Sequence, residues 1–115
     1  MEIQGNWKTF NAGGDIGAHE LVTMSGVDVV QNTAEGIIVG ASEYAVLANQ
    51  PVAVRLWNAG GTIHCIAAGV IGAGAAVYAA ALGKVAATPG VLIKGYAMEA
   101  ATADGDIIEV LPATE

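Results

Sequence analysis

The sequence predicts an all-β fold, a small barrel or sandwich built from two pseudo-repeats offset by 55 residues, with an extended N-terminal arm. Three observations predict it. The chain resembles itself at that fixed offset, its β-branched residues fall in short runs between turn signals, and its apolar content is almost all small. Short strands recurring every 8–12 residues or so mark a sandwich or barrel.

The repeat is the firmest of the three. AGGDIGAHELV (12–22) lies on AAGVIGAGAAV (67–77), and IVGASEYAVLANQPVAVRL (38–56) lies on IKGYAMEAATADGDIIEVL (93–111). Thirteen of the 45 positions from 12 to 56 are identical, among them Ala12/Ala67, Gly14/Gly69, Ile16/Ile71, Val22/Val77, Gly40/Gly95 and Leu56/Leu111. Chance would give roughly four in so biased a composition, so a duplicated unit is expected. The domain reading is a single domain over 1–115, with an arm at 1–11, a first repeat at 12–66, a second at 67–111 and a tail at 112–115.

Taken in order, the elements begin with the arm, which carries Trp7 and Phe10 and has no counterpart in the sequence repeat. LVTM and VDVVQ flank Ser25-Gly26 as a hairpin. GIIVGA (36–41) is a short strand. PVAVRLW (51–57) alternates behind a Pro at its first position, where the missing N–H does least harm. GTIHCIAA (61–68) follows Asn58-Ala59-Gly60-Gly61 and reads as the second arm of a hairpin with it. AAVYA and KVAA match the first hairpin around Leu82-Gly83, VLIKGYAM (91–98) and DIIEVL (106–111) are the last strands, and Pro112 ends the series.

One stretch resists this reading. No charge occurs between Arg55 and Lys84, long enough to cross a bilayer at ~20 apolar residues, and alanine favours helix. A helical turn is the competing reading of Ala73–Ala81. Its repeat partner, however, carries His19, Glu20, Asp28 and Glu35. Two copies of one unit share a conformation, so strand is expected and no membrane partner.

Eleven acidic residues against four basic ones leave a net charge of −7. Phosphate binding needs clustered cations, whereas Lys8, Arg55, Lys84 and Lys94 are scattered, so no nucleic-acid partner is expected. The N-terminus lacks a basic segment followed by an apolar run, so no signal peptide is expected. The single cysteine excludes an internal disulfide.

No motif carries chemistry. Gly69, Gly72 and Gly74 give G-x-x-G-x-G, the reverse of the dinucleotide fingerprint, and no acid follows at the required spacing. His64 and Cys65 are adjacent in a strand and point to opposite faces, so they cannot share a metal ion or form a nucleophile pair. A structural zinc site wants four ligands, and His19, His64 and Cys65 are the only nitrogen and sulfur candidates. Asp104, Asp106 and Glu109 cluster near the C-terminus, and TADGD (102–106) reads as a turn with Asp104 and Gly105 supplying its chemistry, rather than as part of a set of catalytic carboxylates. The expectation is therefore no catalytic residue, no cofactor and no metal. The large side chains Trp7, Phe10, Tyr44 and Trp57 are the interface candidates, with core packing the favoured role of Trp57.

The stretch IGAHELVTM…VVQNTAEGIIVGASEYAVLANQPVAVRLWNAGGTIHCIAAGVIGAGAAVYAAALGKV…VLIKGYAMEAATADGDIIEVL resembles the short capsid cement (head decoration) proteins of tailed phages over roughly residues 12–111. The pattern is one of small and β-branched residues. GAH at 17–19 departs from the Pro-Ala-Gly turn frequent in that family, and the arm with Trp7 is longer. The resemblance implies a β-rich protein on the outside of the assembled capsid, bound to the major capsid protein, often as a homotrimer, and made in the host cytoplasm before joining the virion. The alternatives are a virion surface spike or host-attachment protein and, from another class, a small trimeric β enzyme with an intersubunit site.

Overall fold

The computed structural model describes residues 7–33, 38–57, 61–87 and 93–113. Among these residues ten strands form two five-stranded antiparallel sheets. The first contains β1 (Trp7–Asn11), β2 (Leu21–Ser25), β3 (Asp28–Gln31), β4 (Gly40–Ser42) and β5 (Pro51–Leu56), in the order β1-β5-β4-β2-β3. The second contains β6 (Ile63–Ile66), β7 (Ala76–Ala79), β8 (Val85–Ala86), β9 (Gly95–Ala97) and β10 (Ile107–Pro112), in the order β6-β10-β9-β7-β8. The two orders are the same topology written twice. In each sheet a parallel bridge, Ala12 to Val29 and Ala67 to Val85, ties the outer strands and curls the sheet toward a barrel.

The expected all-β architecture of two repeats is thus the observed one. Ala73–Ala81 resolves as strand β7 followed by a single 3-10 turn, Ala81–Gly83. Alanine's helical preference is satisfied only in that turn, because Val77 and Ala79 gain more by pointing into the core from an alternating strand.

Details of the duplication are conserved at atomic level. Gly40 and Gly95 sit where a neighbouring strand passes closely: an added Cβ would lie 1.9 Å from the Arg55 carbonyl oxygen and 2.5 Å from that of Leu111. Only glycine fits there. His19 and Gly74, also 55 apart, both take positive φ, 62° and 84°, and both donate their N–H to the matching strand, to Ser42 O and Ala97 O. GAH at 17–19 therefore makes a left-handed turn without a glycine at its third position.

The offset is not constant. Gly40 pairs Leu56 in one sheet and Gly95 pairs Pro112 in the other, so β5 and β10 are displaced by 56. The loop between the Val46 bridge and Asn49 is one residue shorter than that between the Ala101 bridge and Gly105, the matching positive-φ positions. β3 and β8 are likewise displaced by 56, because the 3-10 turn is one residue longer than the Gly26-Val27 hairpin. The identities Val30/Val85 and Leu56/Leu111 are consequently one residue out of register, while Val29/Val85 and Val54/Val110 are true equivalents.

Two expectations need correction. Residues 7–11 are extended, but they do not project as an arm without a counterpart: they are strand β1, paired along its length with β5 (Trp7 with Arg55 through Asn11 with Pro51). β6 pairs β10 in the same way, Cys65 with Ile108 where Phe10 pairs Val52, so β1 and β6 are equivalent and the structural repeat starts before residue 12. Residues 1–6 lie outside the described residues. Second, β5 and β6 do not form a hairpin; they belong to different sheets, and the chain crosses between the two halves after Trp57.

Each half has its own core. Ala12, Ile16, Val22, Val29, Val52 and Val54 fill the first. The second contains the equivalents Ala67, Ile71, Val77, Val85, Ile108 and Val110, and it also takes in Leu21, Ala41 and Trp57 from the first half. Leu21 and Ala41 are cross-strand partners on the outer face of the first sheet. That face is the lid of the second core.

Candidate functional site

The seam between the halves is where the chain collects polar groups. Trp57, 8% exposed, donates its indole N–H to Lys94 O at 3.0 Å. Gly83 donates its N–H to Asn32 O at 2.7 Å, and its bare Cα fits against Glu20 and Gln31. Ser42, fully buried, accepts from Glu20 N at 3.1 Å and donates to Gly17 O at 2.5 Å. The Glu20 carboxylate accepts from Gly17 N and from the Gln31 amide, both at 2.9 Å. This network fixes the loop that carries His19.

Beside it lies a small cavity of about 60 Å³ lined by His19, Ser42, Glu43 and Arg55 of the first half and Thr62, Ile63 and His64 of the second, among others. The two imidazoles are neighbours, with ring centroids 5.9 Å apart and planes tilted by 55°. The Thr62 hydroxyl donates to the Glu109 carboxylate next to it. The volume suits a water or two. Sequence spacing brings His64 together with Cys65; the fold instead separates them and brings His64 to His19.

Cys65 points into the second core, and burial pushes its thiol up to about 12, so no thiolate forms at neutral pH. His64 points outward. No group of three or more His, Cys, Asp or Glu able to hold a metal ion occurs among the described residues. The TADGD segment is a turn, as expected. The Asp106 carboxylate accepts from Thr102 N (2.8 Å), Thr102 Oγ1 (3.1 Å) and Ala103 N (3.2 Å), and those hydrogen bonds, Thr102's backbone first, hold it below the usual carboxylate range. Asp104 pairs with Lys84 at 2.8 Å.

The four interface candidates separate. Trp57 is core, sealing the seam. Phe10 is half-buried and packs against the first core. Tyr44 is exposed, its hydroxyl accepting from Ala53 N at 3.3 Å. Trp7 is 56% exposed at the end of β1. Other exposed apolar side chains had no signal beyond strand alternation: Tyr96, Met98, Ile107 and Leu111 line the outer face of the second sheet, with Leu111 directly across from Tyr96. Met24 and Val27 stand at the β2–β3 hairpin of the first. Locating them required the register, since every other residue of any strand is a candidate for the outer face.

No family model matches the chain, and no curated protein matches it. Among solved structures, the chain is similar to the crystal structure of the head fiber gp8.5 N base of bacteriophage phi29, with a TM-score of 0.76 and 17% sequence identity over 93% of this chain and 92% of that one. At that identity the likeness establishes a shared fold. It spans both halves, so it covers the duplicated architecture and not a single sheet.

Proposed function

We propose that this protein is a structural component of a tailed-phage head, a decoration protein that binds the outer surface of the assembled capsid through the major capsid protein and stabilises the shell as a homotrimer. The observation that carries the reading is the similarity of nearly the whole chain to the base of a phage head fiber, joined to the cement-protein pattern of its own sequence. A decoration protein needs no chemistry. It adds buried area across subunit boundaries, and many copies multiply modest contacts into large shell stability. The diverging His64 and Cys65, with the thiol held neutral, support a role without catalysis. The net charge of −7 supports one without nucleic acid. Among the described residues no helix is long and apolar enough to cross a membrane. The proposed location is the capsid exterior, reached from the host cytoplasm during assembly.

A second reading, the base of a virion fiber or host-attachment protein, is favoured by the same similarity, since that structure is a fiber base. One experiment separates the two. Purified protein is sedimented with expanded capsids and with unexpanded shells, and the temperature at which the capsids rupture is measured with and without it. Binding to expanded capsids with a raised rupture temperature supports decoration. Binding with an unchanged rupture temperature supports the fiber base, and no binding to either particle overturns both.

A further inference from the structure

The seam inside the molecule is asymmetric: the outer face of the first half covers the side of the second. By the duplication, the second half has the same outer face and the first half has the same side, and among the described residues nothing covers either. Ala41 is buried in the seam, whereas its equivalent Tyr96 is 42% exposed. Arg55 lines the seam cavity, and its equivalent Leu111 is exposed beside Tyr96. On the other side, Ala79 is 9% exposed and its equivalent Met24 45%. Gly83, at the tip of the β7–β8 turn, is buried against Glu20, while Val27, at the tip of the corresponding β2–β3 hairpin, is 86% exposed. Thr62 lines the cavity, and Trp7, its equivalent, is exposed.

We infer that a second copy of this chain docks head to tail, its β1 edge and β2–β3 hairpin (Trp7, Met24, Val27) seating on the outer face of the second half (Tyr96, Met98, Leu111), in the geometry of the internal seam. The residues on the two open surfaces are what such a contact needs. Positions that carry Ala, Gly, Thr and Arg inside the molecule carry Tyr, Val, Trp and Leu here, and large aromatic and apolar side chains are the anchors of subunit interfaces. The exchange is complementary at the turn: Gly83 meets Glu20 in the seam, whereas the tip of the β2–β3 hairpin, with Val27, would meet Ala75, the equivalent of Glu20, so a larger side chain faces a smaller one there. The contact is heterologous, so each copy uses both surfaces and association continues past a dimer. This deepens the homo-oligomer part of the proposed function and rests on it, but its test contains no capsid, so the two can fail separately.

The internal seam supplies the distance for the test. A Cβ on Gly83 would stand 2.9 Å from Glu20 Cβ, and a disulfide bridges Cβ atoms about 3.8 Å apart. The full-length variants Val27→Cys and Ala75→Cys are therefore oxidised separately, as a mixture and as the double variant, then run on non-reducing denaturing gels after circular dichroism confirms the fold. Expected is no cross-link in either single variant, a disulfide-linked dimer in the mixture, and species larger than dimer in the double variant. Cys65, being buried, stays reduced in all four. Dimers in a single variant alone would show an isologous contact and overturn the inference, as would a mixture that remains monomeric. Tyr96→Glu with Leu111→Glu gives an independent readout: it should lower the sedimentation coefficient of the otherwise unmodified protein to that of a monomer, and an unchanged coefficient overturns the proposal.

Discussion

The two halves of this molecule have one backbone plan and two different environments, and strands β1 and β6 show the contrast most sharply. Both run antiparallel to the longest strand of their sheet in the same register. β6 reads Ile-His-Cys-Ile with Ile63 and Cys65 buried, whereas at the equivalent positions β1 has Lys8, exposed, and Phe10, half-buried. The difference is not in the fold of either half. It arises because the first sheet lies over the second half, and among the described residues nothing lies over the first. Hydrogen-bonding geometry was kept after duplication, while side chains followed burial.

Substitutions at equivalent positions can break or sharpen that contrast. The largest effect is expected at Trp57, which belongs to both halves. Trp57→Ala should destabilise by about 3–5 kcal/mol, by chemical denaturation, whereas its equivalent Ala113 closes no second core. If the loss is under about 1 kcal/mol, the seam does not hold the halves together.

Gly40→Ala and Gly95→Ala come next. Both force strands apart, each costing about 1–3 kcal/mol or more, with Gly40→Ala the worse because its added Cβ meets the partner carbonyl at 1.9 Å against 2.5 Å. Equal losses would mean that β4 can shift as freely as β9 despite being clamped in the seam.

Deletion of residues 1–11 tests the edge strand. A free arm would leave the fold unchanged, but β1 is paired with β5, so the deletion should lower the denaturation midpoint and alter the far-ultraviolet spectrum. An unchanged midpoint would mean that β1 contributes nothing to the first sheet. Loss of capsid binding with an unchanged midpoint would return the N-terminus to the role of an anchor.

The smallest effect concerns the turns before β5 and β10. Gln50 and Asp106 are equivalent: the Gln50 carboxamide accepts from Leu47 N at 2.9 Å, as the Asp106 carboxylate accepts from Thr102 and Ala103. Only the second titrates. Its folded pKa is lowered from 3.8, so its contribution is present above the unfolded value and is lost as pH falls through the folded one. Asp106→Asn should therefore reduce stability at pH 7 slightly and flatten the loss of stability below pH 4. Gln50→Asn should leave the pH profile unchanged. Parallel profiles for wild type and Asp106→Asn would show that the turn's hydrogen bonds do not distinguish the charged from the neutral side chain.

Much of this was legible in the residues. Gly40/Gly95, Ile16/Ile71 and Val22/Val77 carried the repeat because a close strand approach and a core position each tolerate few residue types. The hairpin at Ser25-Gly26, the prolines at strand ends and the Asp106 turn were legible for the same local reasons. β1 is not legible as the counterpart of β6, since WKTFN and TIHCI are identical at no aligned position: one is an exposed edge and the other is covered. The expected β5–β6 hairpin does not form, because turn-type residues at 58–61, of which 58–60 lie outside the described residues, do not encode which sheet the chain enters next.

What the sequence determined by itself was therefore the unit: most of its strands, its glycine contacts and its duplication. These rest on backbone sterics and alternation, which act over a few residues. Only the tertiary structure decided how the two units face each other, and with it which of two equivalent surfaces is buried. Leu21 and Ala41 are no more apolar than Tyr96 and Leu111, yet the first pair is covered and the second is open. Burial of a face is a property of what lies across from it, and that partner is set by the crossing of the chain after Trp57.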